Sequence, residues 1–554
     1  MTVKPGGESN TGGMDAADAV LSRRRFLGAL GLAGVGAIAA GGGPASPAGA
    51  QEAEEWETAP VRFVWSDYGE PSAIDPAIVQ DAQSFAFARN VYESLVEIDV
   101  EKRELIPRLA TEWETSADGL SWTFRLREGV RFHDGTAFDA NAVKVSIERM
   151  LGIGQGSSFL IDKVSGVSAD DPMTVTITTN ALDPLMLAHL VKIGIVSPAA
   201  VDQNKTTDDP WAREWFAENT AGSGPYRLVS WERGARLTLE KNQDWWFGWQ
   251  PGSIDEVIFQ WAGESATRAQ MLERGDADLV GWLTPNDVLR IAEQPGFQLV
   301  EWQTFDTNPG IFLNTKKPPL DNLNVRQALT AAFDYQAVID FYQGYGSTPG
   351  GPVPADFPGA GAEGFEPFKQ NLDKAKQLLQ GSGVDPGATP LTFIVPAGQA
   401  EFLFGATVLQ ETAKQLGFGV EITEVPWAQM LELYKDDDTA GHLTDFALTP
   451  YTLDPIQYLR PFYYGGGFYN MCKYDNPAVN QLIDEASMTA DPDARQQLLA
   501  QAQTIIRDDA VCIWACTPRL LDAVPDHVVG YQMDITDYRW ATKFYPIRIK
   551  KRST

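Results

Sequence analysis

The sequence predicts an α/β protein with two lobes. Apolar residues at every second position mark strands, apolar residues three and four apart mark helices, and the two patterns alternate in two large blocks of the chain. The 554 residues are 44% hydrophobic and 11% aromatic, which is enough for large cores. At about 150 residues per domain, this length corresponds to roughly three domains. No short period repeats along the chain, which excludes a solenoid.

The charge balance is strongly acidic. The chain carries 44 Lys and Arg against 74 Asp and Glu, a formal net charge of −30. Such a field repels phosphate backbones and anionic membrane surfaces, so we expect no nucleic-acid partner. Acidic runs such as the aspartates at 436–438 are typical of a solvated surface.

Residues 1–50 are expected to be an export signal and not part of the fold. The stretch "SRRRFLGALGLAGVGAIAA" joins paired arginines to a Gly- and Ala-rich run that is shorter than the ~20 residues needed to span a bilayer. Small residues precede Gln51, where we expect cleavage, and no Cys lies near it to carry a lipid anchor. The protein is therefore expected to be exported and soluble, in the periplasm or outside the cell. The signal resembles the twin-arginine class in Ser22, Arg23, Arg24, Phe26 and Leu27.

The mature chain opens with a strand and a helix. Apolar alternation from Val61 to Trp65 predicts the strand, and a turn-rich connection ends at Asp75. The stretch "SFAFARNVYESLVEID" has apolar residues at helical spacing from Phe85 to Leu95, which predicts a helix.

The pair His133 and Asp134 raises the question of a catalytic dyad, since a His beside a carboxylate is what a general base needs. The pattern of "GLSWTFRLREGVRFHDGTAFDA" indicates a strand over 120–126, two turns, and a helix capped by Asp139. Adjacent side chains on an extended segment point to opposite faces, so the pair is poorly placed to act on one substrate. We therefore expect a structural turn.

The pattern continues beyond residue 220. Two alternating strands follow in "YRLVSWERGARLTLEK", then a helix and a strand at Ala277–Trp282, and later a helix that uses Val325 and Leu329. The Pro- and Gly-dense span 346–365 indicates a long ordered loop. Residues 391–520 repeat the alternation of strands and helices.

Cysteine and histidine usage predicts neither a cofactor nor a metal. Cys472, Cys512 and Cys516 permit at most one bridge. The strand-forming run around Cys512 and Cys516 argues against that pair, while Cys472 with either of the others stays open. The four histidines are scattered singly, so no metal site is expected.

The motifs of common catalytic sites are also missing from the sequence. It contains no Gly-x-Ser-x-Gly elbow, no phosphate loop ending in Gly-Lys-Ser or Gly-Lys-Thr, and no His-Glu-x-x-His. No clean dinucleotide fingerprint is present, since "GLAGVG" fits a glycine fingerprint only superficially and lies in the export signal. We therefore expect no catalytic residues.

Four separated stretches together resemble one family. They are "ATEWETSADGLSWTFRLREGVRFHDGTAFDANAVKVSIERM", "GSGPYRLVSWERGARLTLEKNQDWW", "FLNTKKPPLDNLNVRQALTAAFDYQAVI" and "DPIQYLRPFYYGGGFYNMCKYDNPAVNQLIDEA". Their order and content resemble the extracellular solute-binding proteins of ABC importers, in the peptide/nickel-binding class known as family 5. The resemblance spans essentially the whole mature chain.

The resemblance implies a type II periplasmic-binding-protein-like clamshell with an extra subdomain inserted in lobe I. A ligand would be enclosed between the lobes by a hinge motion. The implied ranges are 56–92, 225–310 and 526–554 for lobe I, 93–224 for the inserted subdomain, and 311–525 for lobe II.

The family's ligand contacts fall on loops that follow strands. Trp427 resembles a cleft-facing Trp, and the acidic residue that holds a peptide amino terminus aligns either with Asp454 or, in another register, with Tyr451. The expected ligand-binding residues are Trp427, Tyr451, Asp454, Asp67, Tyr68, Phe468 and Asn470.

The resemblance implies a substrate-binding component that captures a peptide or similar small solute, or an oligosaccharide, and delivers it to a membrane permease and its ATPase. We expect a monomer. Two alternatives stay open: an exported hydrolase, and a chaperone-like binder of unfolded peptide.

Overall fold

The computed structural model describes residues 55–551 except 80, 100–103, 306, 361–364, 398, 449–453 and 534–541. The chain from Glu55 onward forms one compact unit. The export signal expected at 1–50 and the ligand contact expected at Tyr451 lie outside the described residues. No described helix is both long and apolar enough to cross a membrane.

Lobe I is built on a five-stranded mixed sheet, in the order β11 (Leu279–Val280), β1 (Arg62–Asp67), β10 (Glu256–Trp261), β9 (Arg236–Lys241) and β8 (Tyr226–Glu232). Strands β1, β10 and β11 are parallel, so their carboxyl ends lie at one edge. Its core includes Phe63, Trp65 and Phe259, all at most 2% exposed. The first elements of this lobe are β1 (Arg62–Asp67) and α1 (Ala82–Val91).

The inserted subdomain is a four-stranded antiparallel sheet, β4-β5-β7-β6, with a separate hairpin β2-β3. The strand expected over 120–126 is confirmed as β5, and Asp139 caps the next helix by accepting from Ala142 N. Its elements are β2 (Val96–Asp99), β3 (Glu104–Pro107), β4 (Ala110–Thr115), β5 (Ser121–Leu126), α2 (Ala140–Ile153), a 3₁₀ helix (Gly156–Ile161), β6 (Val164–Asp171), β7 (Thr174–Thr179), α3 (Met186–Leu190), α4 (Pro198–Asn204) and α5 (Arg213–Phe216).

The segment that contains α4 and α5 packs into the core of lobe I, although the resemblance placed it within 93–224 of the inserted subdomain. Val196, Ala212 and Phe216 share that core with Phe63. The chain then completes the sheet of lobe I. Its further elements are β8 (Tyr226–Glu232), β9 (Arg236–Lys241), β10 (Glu256–Trp261), α6 (Ser265–Arg274), β11 (Leu279–Val280), α7 (Pro285–Ala292) and β12 (Phe297–Gln303).

Lobe II is a second five-stranded mixed sheet, in the order β16-β15-β17-β13-β18. Alternate residues of β15 point into two separate cores, Phe393 into one and Ile394 into the other, as strand geometry requires. The elements are β13 (Thr307–Leu313), α8 (Leu323–Ala332), α9 (Tyr335–Phe341), β14 (Gly346–Ser347), α10 (Leu372–Ser382), β15 (Leu391–Pro396), α11 (Ala400–Lys414), β16 (Val420–Val425), α12 (Trp427–Leu433), β17 (Leu443–Leu448), α13 (Ile456–Tyr463), α14 (Pro477–Ser487), α15 (Pro492–Asp508) and β18 (Cys512–Trp514).

Two antiparallel strands connect the lobes. Strand β12 leaves lobe I, and β19 (Thr517–Pro525) returns to it, pairing with β12 from Phe297↔Pro525 to Gln303↔Arg519. Asp522 accepts hydrogen bonds from Trp302 Nε1 and Tyr531 OH, both at 2.9 Å, which tie the two crossing strands to Tyr531 of lobe I. The chain ends in lobe I with β20 (Val528–Val529) and β21 (Arg548–Ile549).

Three local expectations need correction. The helix expected to reach Leu95 ends at Val91, because Tyr92 is already extended and Leu95 packs in the core of the inserted subdomain. The strand expected at 277–282 is confined to Leu279–Val280. The bridge left open for Cys472 is absent, since all three cysteines are buried and free.

Candidate functional site

An aromatic pair lies at the carboxyl edge of the lobe I sheet. Tyr68 directly follows β1 and Trp282 follows β11, the neighbouring parallel strand. Their rings meet edge-on, with centroids 5.3 Å apart and an interplanar angle of 89°. Tyr68 is 46% exposed, so a flat apolar surface is open to a ligand. Tyr68 and Trp282 form what we call the lobe I rim.

Arg268 holds the backbone of this rim. Its buried guanidinium donates to four backbone oxygens at 2.5–3.0 Å and so ties the loop after β10 to the loop after β11. Trp282 has a φ of +58°, in the left-handed region that costs a bulky residue about 1–2 kcal/mol. Backbone strain of this kind is concentrated at functional sites. The acceptors are the backbone oxygens of Ala262, Gly263, Gly281 and Trp282.

Asp67 supports the rim from below. Its carboxylate accepts from Gln83 Nε2 at 3.1 Å and from the backbone N–H of Tyr68 at 2.6 Å, and only 4% of the residue is exposed. Burial raises the pKa of Asp67 to about 6, although these hydrogen bonds and the nearby charge of Arg268 act in the opposite direction. A ligand contact by Asp67 remains a prediction, whereas its support of Tyr68 is direct.

Lobe II presents a matching edge. Strands β15, β16 and β17 are parallel, and their carboxyl ends lie together. Trp427, the first residue of α12, follows β16 and is 39% exposed. Thr307 pairs with Leu448, the last residue of β17, and stands four positions after the end of crossing strand β12. This edge therefore lies beside the connection between the lobes. In open α/β sheets, ligands bind outside the carboxyl ends of the strands.

Asp454 does not offer a free charge. Both of its carboxylate oxygens accept from the guanidinium of Arg495, and Oδ1 also accepts from Ile456 N at 2.9 Å. The two side chains are only 14% and 11% exposed. Asp454 is the sole acid between Leu448 and Ile456 in the sequence. The loop after β17 therefore has no uncompensated carboxylate for a ligand ammonium group, in whichever register it is aligned.

Phe468 and Asn470 lie elsewhere, on the turn after α13. The Asn470 amide donates to the backbone oxygens of Tyr464 and Tyr474, and its oxygen accepts from Tyr474 N, so the side chain shapes the turn. Phe468 is 77% exposed and lines a cavity that faces the inserted subdomain. Of the expected ligand residues that the structure describes, Tyr68 and Trp427 lie at the two sheet edges, whereas Phe468 lines a separate cavity.

His133 is a structural residue in this fold. The Nε2 atom of His133 lies 2.9 Å from the backbone oxygen of Gly224, and the backbone N–H of His133 donates to the backbone oxygen of Gly222. His133 therefore joins the inserted subdomain to the start of the lobe I segment. Burial lowers the pKa of His133 to about 4. Asp134 accepts instead from Thr136. No pairing of His133 and Asp134 as general base and orienting acid is present.

Sequence reasoning missed Trp282 and Arg268. A Trp directly after a short apolar strand, in "DLVGWL", was the available signal for a rim residue. The role of Arg268 had no local signal, because its acceptors lie on two separate loops. Among the described residues, no group of three His, Cys, Asp or Glu side chains could hold a metal ion.

Comparison with known proteins assigns the family. Residues 104–470 match the middle region of the bacterial extracellular solute-binding proteins, family 5. A probable D,D-dipeptide-binding periplasmic protein of Escherichia coli is 29% identical over 475 residues, covering 83% of this chain and 89% of the relative. Heme-binding protein A of Haemophilus influenzae is 28% identical, covering 81% and 85%.

A solved structure has the same fold. The ABC transporter-associated periplasmic binding protein from Helicobacter pylori, in complex with the peptide STSA, superposes with a TM-score of 0.77 and 24% identity. The match covers 90% of this chain and 99% of that protein. The two-lobed α/β architecture expected from the sequence is confirmed by this likeness.

Proposed function

The chain belongs to the bacterial extracellular solute-binding proteins, family 5, which are substrate-binding components of ABC importers, and we propose that it captures one small solute between its two aromatic edges. The captured solute then passes to a membrane permease driven by its ATPase. The observation that supports this proposal is that an exposed aromatic residue lies at the carboxyl edge of each lobe's sheet. These residues are Tyr68 in lobe I and Trp427 in lobe II.

Closure of the lobes would place the solute between these rings. Flat aromatic rings bury a large area with little loss of side-chain entropy, which suits a site that must form and release its ligand. The crossing strands β12 and β19 supply a short connection about which the lobes turn. The domain ranges given above are part of this proposal, with residues 196–224 assigned to lobe I on the basis of their packing.

We propose a peptide-like solute. Its binding does not require that the loop after β17 hold an ammonium group of the solute. The supporting observation is the pairing of Asp454 with Arg495, which removes the loop's only carboxylate from ligand recognition. Relatives that carry the names D,D-dipeptide-binding and heme-binding show that one scaffold serves different solutes. An oligosaccharide also suits two aromatic faces, and it forms the second arm of the test.

We propose binding without turnover. Among the described residues, neither the aromatic edges nor the turn at His133 brings a nucleophile to a general base, which disfavours the exported hydrolase. The chaperone-like alternative predicts weak binding to many unfolded chains instead of saturable binding of one solute. Export through a twin-arginine signal, a periplasmic or extracellular location, and a monomeric state complete the proposal.

Titration calorimetry tests the function. Wild type, Tyr68→Ala and Trp427→Ala are titrated with N-acetylated and free-amino forms of the same dipeptides and tetrapeptides, and with oligosaccharides. Loss of one ring contact should weaken binding by about 2 kcal/mol, roughly thirtyfold in Kd. Phe247→Ala is the matched control, because Phe247 is 59% exposed but lies in the loop between β9 and β10. Equal affinity in all four proteins would place the site elsewhere.

A further inference from the structure

The cavity at Phe468 lies between the inserted subdomain and lobe II. Its volume is about 900 Å³, which is within the range of small-molecule sites. The inserted subdomain supplies residues between 154 and 189, and lobe II supplies residues from α13, α14 and the turn at Phe468. Tyr68, Trp282 and Trp427 are not part of its wall. We call it the lateral cavity.

Large apolar side chains are exposed on both walls of the lateral cavity. Phe159 on the inserted subdomain is 52% exposed, and Phe468 and Met488 on lobe II are 77% and 61% exposed. Leaving a side chain of this size in water instead of burying it costs on the order of 2 kcal/mol. These three side chains line one cavity from both of its walls, an arrangement that favours binding of an apolar group. An apolar ligand would cover surface from both walls at once.

The cations of the wall already have partners. Arg460 Nη2 donates to Asp484 Oδ1 at 2.6 Å, and Arg495 is paired with Asp454. Lys163 Nζ donates to the backbone oxygen of Leu182 at 2.9 Å. An anionic ligand would have to compete for these groups and would lose its own hydration, so the wall favours a neutral ligand.

His189 provides one polar atom for such a ligand. It is 8% exposed, and its Nδ1 lies 3.3 Å from Asp183 Oδ2. Burial opposes ionisation of Asp183, but the hydrogen bond from His189, the charge of Lys163 and the backbone N–H of Leu185 together lower the pKa of that carboxyl. In the neutral imidazole, an N–H on Nδ1 that donates to Asp183 leaves Nε2 as an acceptor. Within the described part of the chain, Nε2 has no hydrogen-bond partner.

We propose that the lateral cavity is a second binding site, for a neutral aromatic group that carries one hydroxyl or N–H donor. The ring packs among Phe159, Phe468 and Met488, and the donor supplies the missing partner of His189. Because its walls belong to the inserted subdomain and to lobe II, an occupant holds these two parts together. The site goes beyond the proposed function, since it uses none of the rim residues.

Two probes that share a ring and differ in charge test the site. 2-Naphthol is neutral at pH 7 and has one hydroxyl, whereas naphthalene-2-sulfonate carries the same ring with an anion. Equilibrium dialysis of the mature protein should show naphthol binding about tenfold or more tightly than the sulfonate. Phe159→Ala and Phe468→Ala should each weaken naphthol binding about fivefold or more. Both side chains are more than half exposed, so these variants should stay folded.

The controls separate this site from the rims. Tyr68→Ala, Trp427→Ala and Phe247→Ala should bind naphthol as wild type does. If only the rim variants lose naphthol, the probe occupies the interlobe site and the lateral-cavity proposal is overturned, while the proposed function stands. Equal affinity for the two probes, no effect of Phe159→Ala and Phe468→Ala, or no naphthol binding up to its solubility would also overturn it.

Discussion

The ring of Tyr68 meets the ring of Trp282 edge-on, with centroids 5.3 Å apart, where two parallel strands of lobe I end. The pair depends on a strained Trp282 backbone at φ +58° and on the buried guanidinium of Arg268 beneath it. This geometry supports the ligand surface proposed above, because backbone strain often occurs at functional sites.

Replacing Asp454 should lower stability more than it changes affinity. Asp454→Asn leaves Arg495 with its charge in a site where only 11% of its side chain is exposed. Breaking a largely buried ion pair by removing one partner costs about 3–5 kcal/mol. Urea unfolding of wild type, Asp454→Asn and Asp454→Asn/Arg495→Gln measures the effect. The double variant should recover most of the loss. An unchanged unfolding midpoint in Asp454→Asn would contradict the stabilising ion pair and would leave the Asp454 carboxylate available for a ligand.

Asp67 should make the protein less stable as pH rises. Burial raises its folded pKa to about 6 from 3.8, so the folded state binds more protons than the unfolded state between these values. The contribution is therefore fully present below pH 4 and is lost as pH rises through 6. Asp67→Asn should be more stable than wild type by up to about 3 kcal/mol at pH 7.5, and the difference should vanish at pH 4. Urea titrations at both pH values measure it, and a constant difference would contradict the buried, neutral-preferring carboxyl.

His133 should act in the opposite direction over the same range. Burial lowers its folded pKa to about 4 from 6.5, so its contribution is present above pH 6.5 and is lost as pH falls toward 4. His133→Gln keeps a donor for the backbone oxygen of Gly224 but cannot titrate. Between pH 7 and pH 4, the free energy of unfolding should fall by about 3 kcal/mol less in His133→Gln than in wild type. The affinity for solute at pH 7 should be unchanged. A tenfold loss of affinity with an intact fold would contradict the structural role.

Export should depend on the paired arginines. Replacing both Arg23 and Arg24 by Lys should leave precursor in the cytoplasm, because the twin-arginine route reads this pair. Cell fractionation with an antibody to the mature protein measures the outcome. Mature protein outside the cytoplasm at normal yield would show that another export route is used.

Local pattern was enough to predict elements that local forces determine. Strand β5 and the cap at Asp139 follow directly from alternation and from the side-chain oxygen before an apolar helix. The end of α1 did not follow, because Leu95 has helical spacing but packs in a different core from the helix. Tertiary packing overrides local periodicity at such positions.

The site was predicted only in part for the same reason. The positions of Tyr68 and Trp427 after strands could be predicted, because the sequence marks both strands clearly, while their contact with a ligand stays a prediction. The state of Asp454 could not, since its partner Arg495 stands 41 positions later in the chain. Long-range partners decide whether a charge is available, and one sequence does not show them.

Native mass spectrometry of the protein purified from the bacterium that encodes it tests the central claim most directly. The wild type and Phe247→Ala should each carry one small molecule of a single mass, and Tyr68→Ala/Trp427→Ala, folded by circular dichroism, should carry none. The same bound mass on all three proteins would contradict capture of the solute by the aromatic edges of the two lobes.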